Sequence, residues 1–305
     1  MRILRILLPL IALLFPLSMF AQSGATGLSF LKIGADARAM GMGDAGVATS
    51  DLGSAMYYNP ALISDDEQAS ITIMHNEWIQ DLTTEFLGLV VPFSSWTFGL
   101  HLGLTSVEGI EIRDRPGEAQ GTFDSHNFAG GVTAAFAVSS GVHVGVTAKY
   151  VFEKLYTDVS DGYAFDFGVF VQPFSSQELR SLRFGGALSN LGQMSELRTV
   201  STKLPMLLRL GVGYDVPIES MKSSFVFSAA NLLLLEENTN HLNIGVEFNY
   251  VDIVFMRVGY QSNYDIKNVS FGAGTKYSSF RFDYAFTPFT ESFGMAHTIA
   301  LSATL

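Results

Sequence analysis

Gly41-Met42-Gly43-Asp44-Ala45-Gly46 has the glycine density of a loop that cradles phosphate. Such loops follow a strand and end in Gly-Lys-Ser/Thr, so that backbone N–H groups and a lysine face the anion. Neither condition holds here, and phosphate chemistry is not expected. The six histidines, His75, His101, His126, His143, His241 and His297, form no His-Glu-x-x-His and no close pair, which leaves no zinc spacing. Asp65-Asp66-Glu67 and Glu236-Glu237 are hard oxygen donors of the kind calcium takes, but solvated surface acids read the same way. The chain has no Gly-x-Ser-x-Gly elbow and no cysteine, so a nucleophile elbow, thiolate ligands and disulfides are excluded. The expectation is a protein that is not an enzyme and has no cofactor and no metal.

The residues that would position any site belong to one repeated pattern. From Ala69 to Leu305 about fourteen segments alternate apolar with polar or small side chains, as in Phe280, Phe282, Tyr284 and Phe286 against Arg281, Asp283 and Ala285. Side chains on a strand point to opposite faces at each step, so every segment is a two-faced strand. The spacing predicts strands at Ala69 to Asn76, Glu85 to Val91, Trp96 to Leu104, Asn127 to Val138, Val142 to Glu153, Gly162 to Gln172 and Ser181 to Asn190. It predicts seven more at Leu207 to Val216, Ser223 to Asn231, His241 to Tyr250, Ile253 to Gln261, Val269 to Tyr277, Phe280 to Phe286 and His297 to Leu305. Phe86 to Val107 and Asn127 to Ala148 have the length of membrane helices and no charge, yet each is broken by a turn at its middle. Both therefore read as strand pairs.

Met1-Arg2-Ile3-Leu4-Arg5 and the apolar run to Phe20, closed by Ala21-Gln22, predict a secretory signal peptide cleaved near Ala21. Loss of residues 1–21 removes Arg2 and Arg5 and no acid, which takes the formal charge from −11 to −13. Nucleic acid is thus an unsuitable partner.

Connections after even-numbered strands are short, as at Pro92 to Ser95 and Ser278-Ser279, while most after odd-numbered strands are longer and more polar, as at Thr105 to His126. Outer-membrane barrels segregate loop length by end in this way, with short turns in the periplasm. Val142, Val144, Val146, Ala148, Tyr150 and Phe152 form an apolar outward face, as do Tyr163, Phe165, Phe167, Val169 and Val171. His143, Lys149, Glu153, Asp166, Arg183, Arg209, Asp215, Glu247, Arg257, Lys276, Arg281 and Asp283 fall on the other face. A soluble barrel turned inside out would alternate equally well. The leader, the loop asymmetry and the apolar last residue favour the membrane. The fold class expected is all-β: a transmembrane antiparallel barrel of about 14 strands over residues 69–305, with both termini periplasmic.

Ahead of the first strand lies a stretch that does not alternate, Gly27-Leu28-Ser29-Phe30-Leu31-Lys32-Ile33-Gly34-Ala35-Asp36-Ala37-Arg38-Ala39-Met40-Gly41-Met42-Gly43, continued by Met56-Tyr57-Tyr58-Asn59-Pro60-Ala61. It resembles the PorV/PorQ family of outer-membrane proteins, in which a Phe-Leu-x-Ile-Gly type segment precedes a Tyr-x-Asn-Pro-Ala turn. That family is similar to FadL-type transporters, whose fourteen-stranded barrels hold an N-terminal hatch. The resemblance departs at Leu62, where a glycine is usual, and the chain is shorter than members that serve as secretion shuttles. It implies that residues 22–68 are a hatch in the lumen. It implies further that the protein takes part in type IX secretion, binding or scaffolding secreted cargo; the alternative it implies is uptake of hydrophobic small molecules.

The residues themselves suit a compact plug. Gly41, Gly43 and Gly46 permit close backbone approach, Asn59, Pro60 and Ala61 suit a turn, and Arg38 is the charge expected to meet a lumen carboxylate such as Asp166, Glu247 or Asp283. Glu108, Glu111, Asp114, Glu118 and Asp124 lie in the expected surface loop Thr105 to His126 and are candidate contacts for protein partners. Outer-membrane lipid is the other partner expected.

Overall fold

The computed structural model describes residues 26–65, 68–174, 181–290 and 293–305. The predicted leader, Asp66 and Glu67 lie outside them. The strands are β1 Ser70–Glu77, β2 Leu82–Phe93, β3 Trp96–Ile112, β4 Gly121–Ser139, β5 Val142–Leu155, β6 Asp158–Val171 and β7 Leu182–Met194. After a small hairpin, β8 Glu196–Leu197 and β9 Val200–Ser201, come β10 Leu207–Ile218, β11 Ser223–Leu234, β12 Thr239–Tyr250, β13 Val254–Gln261, β14 Val269–Tyr277, β15 Phe280–Pro288 and β16 Met295–Thr304. All but β8 and β9 form one closed antiparallel barrel of neighbouring strands, sealed by β1 on β16 from Ser70↔Thr304 to Glu77↔His297. Closure leaves no unpaired edge in the wall, which a membrane interior demands.

Alternation sorts the two faces as expected. Phe165, Phe167 and Val169 on β6 and Met256, Val258 and Tyr260 on β13 are exposed on the outside, while Asp166 and Arg257 beside them are buried within. Phe86 to Val107 and Asn127 to Ala148 are indeed strand pairs, β2–β3 and β4–β5. Among the described residues no helix is long and apolar enough to cross a membrane.

Two expectations need correction. The supposed loop Thr105 to His126 is mostly strand: β3 and β4 continue past the barrel rim and pair through Ile112↔Gly121, leaving residues 113–120 as the tip. Likewise β5 and β6 meet at Leu155↔Asp158, so Lys154 to Asp161 is no loop. Above the apolar belt a strand needs no apolar outer face, and the alternation that marks it disappears. The second correction concerns the termini. Leu305 lies at the end of the tight turns, but Thr26, the first residue described, lies at the opposite end, where its hydroxyl and the Lys32 ammonium both donate to Glu237. The N-terminal segment therefore enters the barrel from the loop end.

That segment fills the lumen. It runs through short helical turns at Ser29–Lys32, Ala37–Gly41, Gly46–Ala48, Leu52–Ser54, Ala55–Tyr58 and Pro60–Asp65. Ala37, Ala55, Met56, Tyr58, Asn59, Ala61 and Ile63 are wholly buried against the inner wall.

Candidate functional site

The contact between segment and wall is built on missing side chains. A Cβ on Gly41 would stand 3.0 Å from Gly272 Cα of β14, and Gly43, held at φ +70°, lies against Ile244 and Tyr260 backbone. Glycine takes that dihedral with no Cβ penalty. On the wall, a Cβ at Gly145 or Gly168 would overlap Pro60 or Asn59, and one at Gly185 would overlap Val47. Backbone meets backbone wherever both partners lack bulk.

Asn59 organises the turn. Its Oδ1 accepts from Ala61 N at 3.0 Å, and its Nδ2 donates to Val47 O at 3.1 Å and to Val169 O of β6 at 3.0 Å. One amide thus joins two parts of the segment to a strand. Leu62, the departure from the family pattern, packs with Met56, Ile63, Val90, Ala135 and Phe170, so its side chain closes the apolar cluster under the turn. Replacing Asn59 by alanine strands these buried backbone groups, each worth about 1–3 kcal/mol. We expect Asn59→Ala to raise protease sensitivity of the segment without changing the heat-modified migration of the barrel on gels.

Arg38 heads a closed ring of six alternating charges. Its Nε and Nη2 donate to Glu247 Oε2 and Oε1 at 3.0 and 2.8 Å, and its Nη1 donates to Thr49 O at 2.6 Å. Glu247 also accepts from Arg257 Nε at 2.5 Å; Arg257 Nη1 lies 2.7 Å from Asp283 Oδ1. Arg281 Nε donates to Asp283 at 2.7 Å, and its two terminal nitrogens donate to Asp51 at 2.8 Å each. Asp51 closes the ring on Arg38 at 3.4 Å. Arg38 and Asp51 belong to the N-terminal segment; Glu247, Arg257, Arg281 and Asp283 belong to β12, β13 and β15. Three cations face three anions, so the network carries no net charge; Asp51, beside a recess of about 280 Å³, is its most exposed member. Of the three carboxylates expected for Arg38, Glu247 is its direct partner and Asp283 is reached through the other arginines. Asp166 is not: Lys149 binds it at 2.8 Å, and its Oδ1 accepts Asn190 N where β6 and β7 shift register. Sequence reasoning also missed Asp51, because its partner Arg281 is 230 residues away.

Asp36 sits beside this ring as an uncompensated acid. Its Oδ1 caps the Ala37–Gly41 helix by accepting Arg38 N at 2.9 Å, while Oδ2 has no partner among the described residues. Burial, aided by the charges of Asp51 and Asp283, outweighs Arg281 and Arg38 and pushes its pKa up to about 6.

Toward the loop end a cavity of about 50 Å³ remains between the segment and the wall, lined by Phe30, Ile33, Tyr57, Phe86, His101 and Arg209 among others. An aromatic molecule such as benzene occupies a cavity nearer ~150 Å³. A few waters fit; an apolar ligand does not. Beyond the rim, Glu108, Glu111, Asp114, Glu118 and Asp124 are all exposed. Glu111 pairs with Arg113, and Asp124 accepts Gly109 N at the β3 bulge, so these two shape the hairpin as well as facing solvent. Glu236 and Glu237, considered above for calcium, pair with Lys203 and Lys32.

The profile of the family described as "Type IX secretion system protein PorV" matches residues 21–239. No protein of curated function matches. Among solved structures, the CymD monoaromatic hydrocarbon channel is similar at TM-score 0.61, with 13% identity over 92% of this chain and 99% of that one. The Pseudomonas putida toluene transporter TodX is similar at TM-score 0.56, with 12% identity over 89% and 96%. At these identities the likeness carries the fold alone.

Proposed function

Since the chain belongs to the PorV family and is an outer-membrane barrel of FadL-like fold, we propose that it is an occluded, non-enzymatic scaffold of type IX secretion that binds secreted cargo or secretion-complex proteins. The observation that supports this most is the filled lumen: residues 28–65 are packed against glycines of the wall and tied by the charge ring, leaving a cavity of about 50 Å³ toward the loop end and a recess of about 280 Å³ beside the ring at the tight-turn end. In this reading residues 22–68 act as a fixed hatch, the tight turns and Leu305 face the periplasm, and the loop end faces outward. The cleaved leader ends near Ala21. The projecting β3–β4 hairpin then offers Glu108, Glu111, Asp114, Glu118 and Asp124 to protein partners. A scaffold of this kind needs a rigid outer surface and no conduit.

The competing role is transport of a hydrophobic small molecule, suggested by the names of CymD, a monoaromatic hydrocarbon channel, and TodX, a toluene transporter. It needs a movable hatch. Deleting the protein should lower release of secreted cargo and leave uptake of an apolar solute such as toluene unchanged; the barrel, reconstituted in liposomes, should not accelerate entry of such a solute. Normal cargo release together with impaired uptake would reverse the assignment.

A further inference from the structure

Of the four buried lysines and arginines among the described residues, three meet a carboxylate: Arg38 and Arg257 at Glu247, and Lys149 at Asp166. Arg209 on β10 does not. Its Nη1 donates to Ser189 Oγ at 3.3 Å, and its guanidinium lies 5.3 and 5.9 Å from the ring centres of Tyr57 and Tyr58. The next acid, Asp44, accepts from the Tyr58 hydroxyl at 2.6 Å and is shared with Lys267. Arginine does not shed its proton when buried, so its charge has to be answered in place. Tyrosine faces answer it only in part.

Arg209 lines the cavity of about 50 Å³ at the loop end, together with Ser189, Lys149, Asp166 and His101. Ser189 Oγ accepts from Arg209, and its own proton has no acceptor among the described residues. Lys149 Nζ donates to Asn190 Oδ1 at 2.5 Å and to Asp166 Oδ1 at 2.8 Å, which leaves its third proton free. His101 is only 5% exposed, and its Nδ1 has no partner. Two cations and one carboxylate thus border one space, with donors in excess and one positive charge unanswered. Water there would supply acceptors but no charge. We propose, independently of any part in secretion, that the cavity binds a small monovalent anion such as chloride, held by Arg209 and Ser189 Oγ with the Lys149–Asp166 pair beside it. A single water needs ~10–15 Å³ of such space, so one chloride and a water or two fill it. A divalent anion would overshoot the surplus charge. Phe30, Ile33 and Tyr57 of the N-terminal segment border the same cavity, so the anion ties segment to wall at the loop end.

The test uses the full chain, solubilised in detergent and crystallised. Bromide in place of chloride should give an anomalous scattering peak beside the Arg209 guanidinium in the parent protein and none there in Arg209→Met. In solution, chloride raised from about 1 to about 300 mM against gluconate at fixed ionic strength should slow protease cleavage of the segment about tenfold, as for a dissociation constant of roughly 30 mM. Arg209→Met should lose this dependence, and Ser189→Ala should shift it to higher chloride. Heat-modified gel migration reports that each variant is folded; where Arg209→Met is not, Ser189→Ala and the parent protein's bromide peak decide. Water alone in the cavity overturns the proposal. So does a bromide peak without any chloride dependence, which marks an adventitious ion only, or the same dependence in the parent and the folded variants.

Discussion

Glu247→Gln should free the N-terminal segment while leaving the barrel closed. Glu247 is the carboxylate that Arg38 and Arg257 share, and it is buried with them. Removing one member of a buried ionic set leaves its partners charged and unpaired, which costs about 3–5 kcal/mol, far more than the small net worth of the intact set. A glutamine side chain there keeps the shape but offers a single acceptor to two guanidiniums. The penalty falls on the segment, because the β-ladder that closes the wall does not pass through this side chain. Amide exchange for residues 36–51 should accelerate by a factor of roughly 100 or more, the equivalent of about 3 kcal/mol, with strand amides unchanged. Combining Glu247→Gln with Arg38→Gln should recover part of the loss, since one orphaned cation is then gone. Unchanged exchange in the single variant would mean that the ring is hydrated and does not hold the segment.

How much of this is legible in the sequence follows from which physical constraint each residue obeys. Lipid outside and a polar lumen inside impose a period of two, so Phe165, Phe167 and Val169 announce β6, and all fourteen wall strands are located in the same way. The constraint ends at the rim. Glu108, Glu111 and Asp124 face water, and the strands carrying them look like loop. Gly145, Gly185, Gly245 and Gly259 read only as small members of the inner face, although each marks where backbone presses on backbone. Arg38 is recognisable as the charge that needs a lumen carboxylate. Its partner cannot be chosen from sequence, because alternation gives the face of Asp166, Glu247 and Asp283 but not the height at which the segment sits. Asp51 lies in the segment itself and carries no periodic signal.

The ring's neutrality makes its neighbour Asp36 the weak point, and this gives an expected gain of stability. Asp36→Asn should tighten the segment at pH 8. Asparagine caps a helix about as well as aspartate, so the hydrogen bond to Arg38 N survives. What disappears is a carboxylate that burial opposes: its pKa is pushed up to about 6, against an ordinary value of 3.8. An acid whose native pKa is raised binds more protons in the packed than in the released state, so its packing is most favourable below about pH 4. Stability then falls as pH rises toward 6 and stays low above it. The loss at pH 8 corresponds to about 3 kcal/mol, and Asp36→Asn should recover most of it. The difference from the parent protein should shrink below pH 6 and vanish near pH 4. Thermal release of the segment, followed by protease cleavage across this pH range in the detergent-solubilised barrel, measures it directly. A variant that is less stable at pH 8, or equally stabilised at every pH, would show that Asp36 is ionised and satisfied in place.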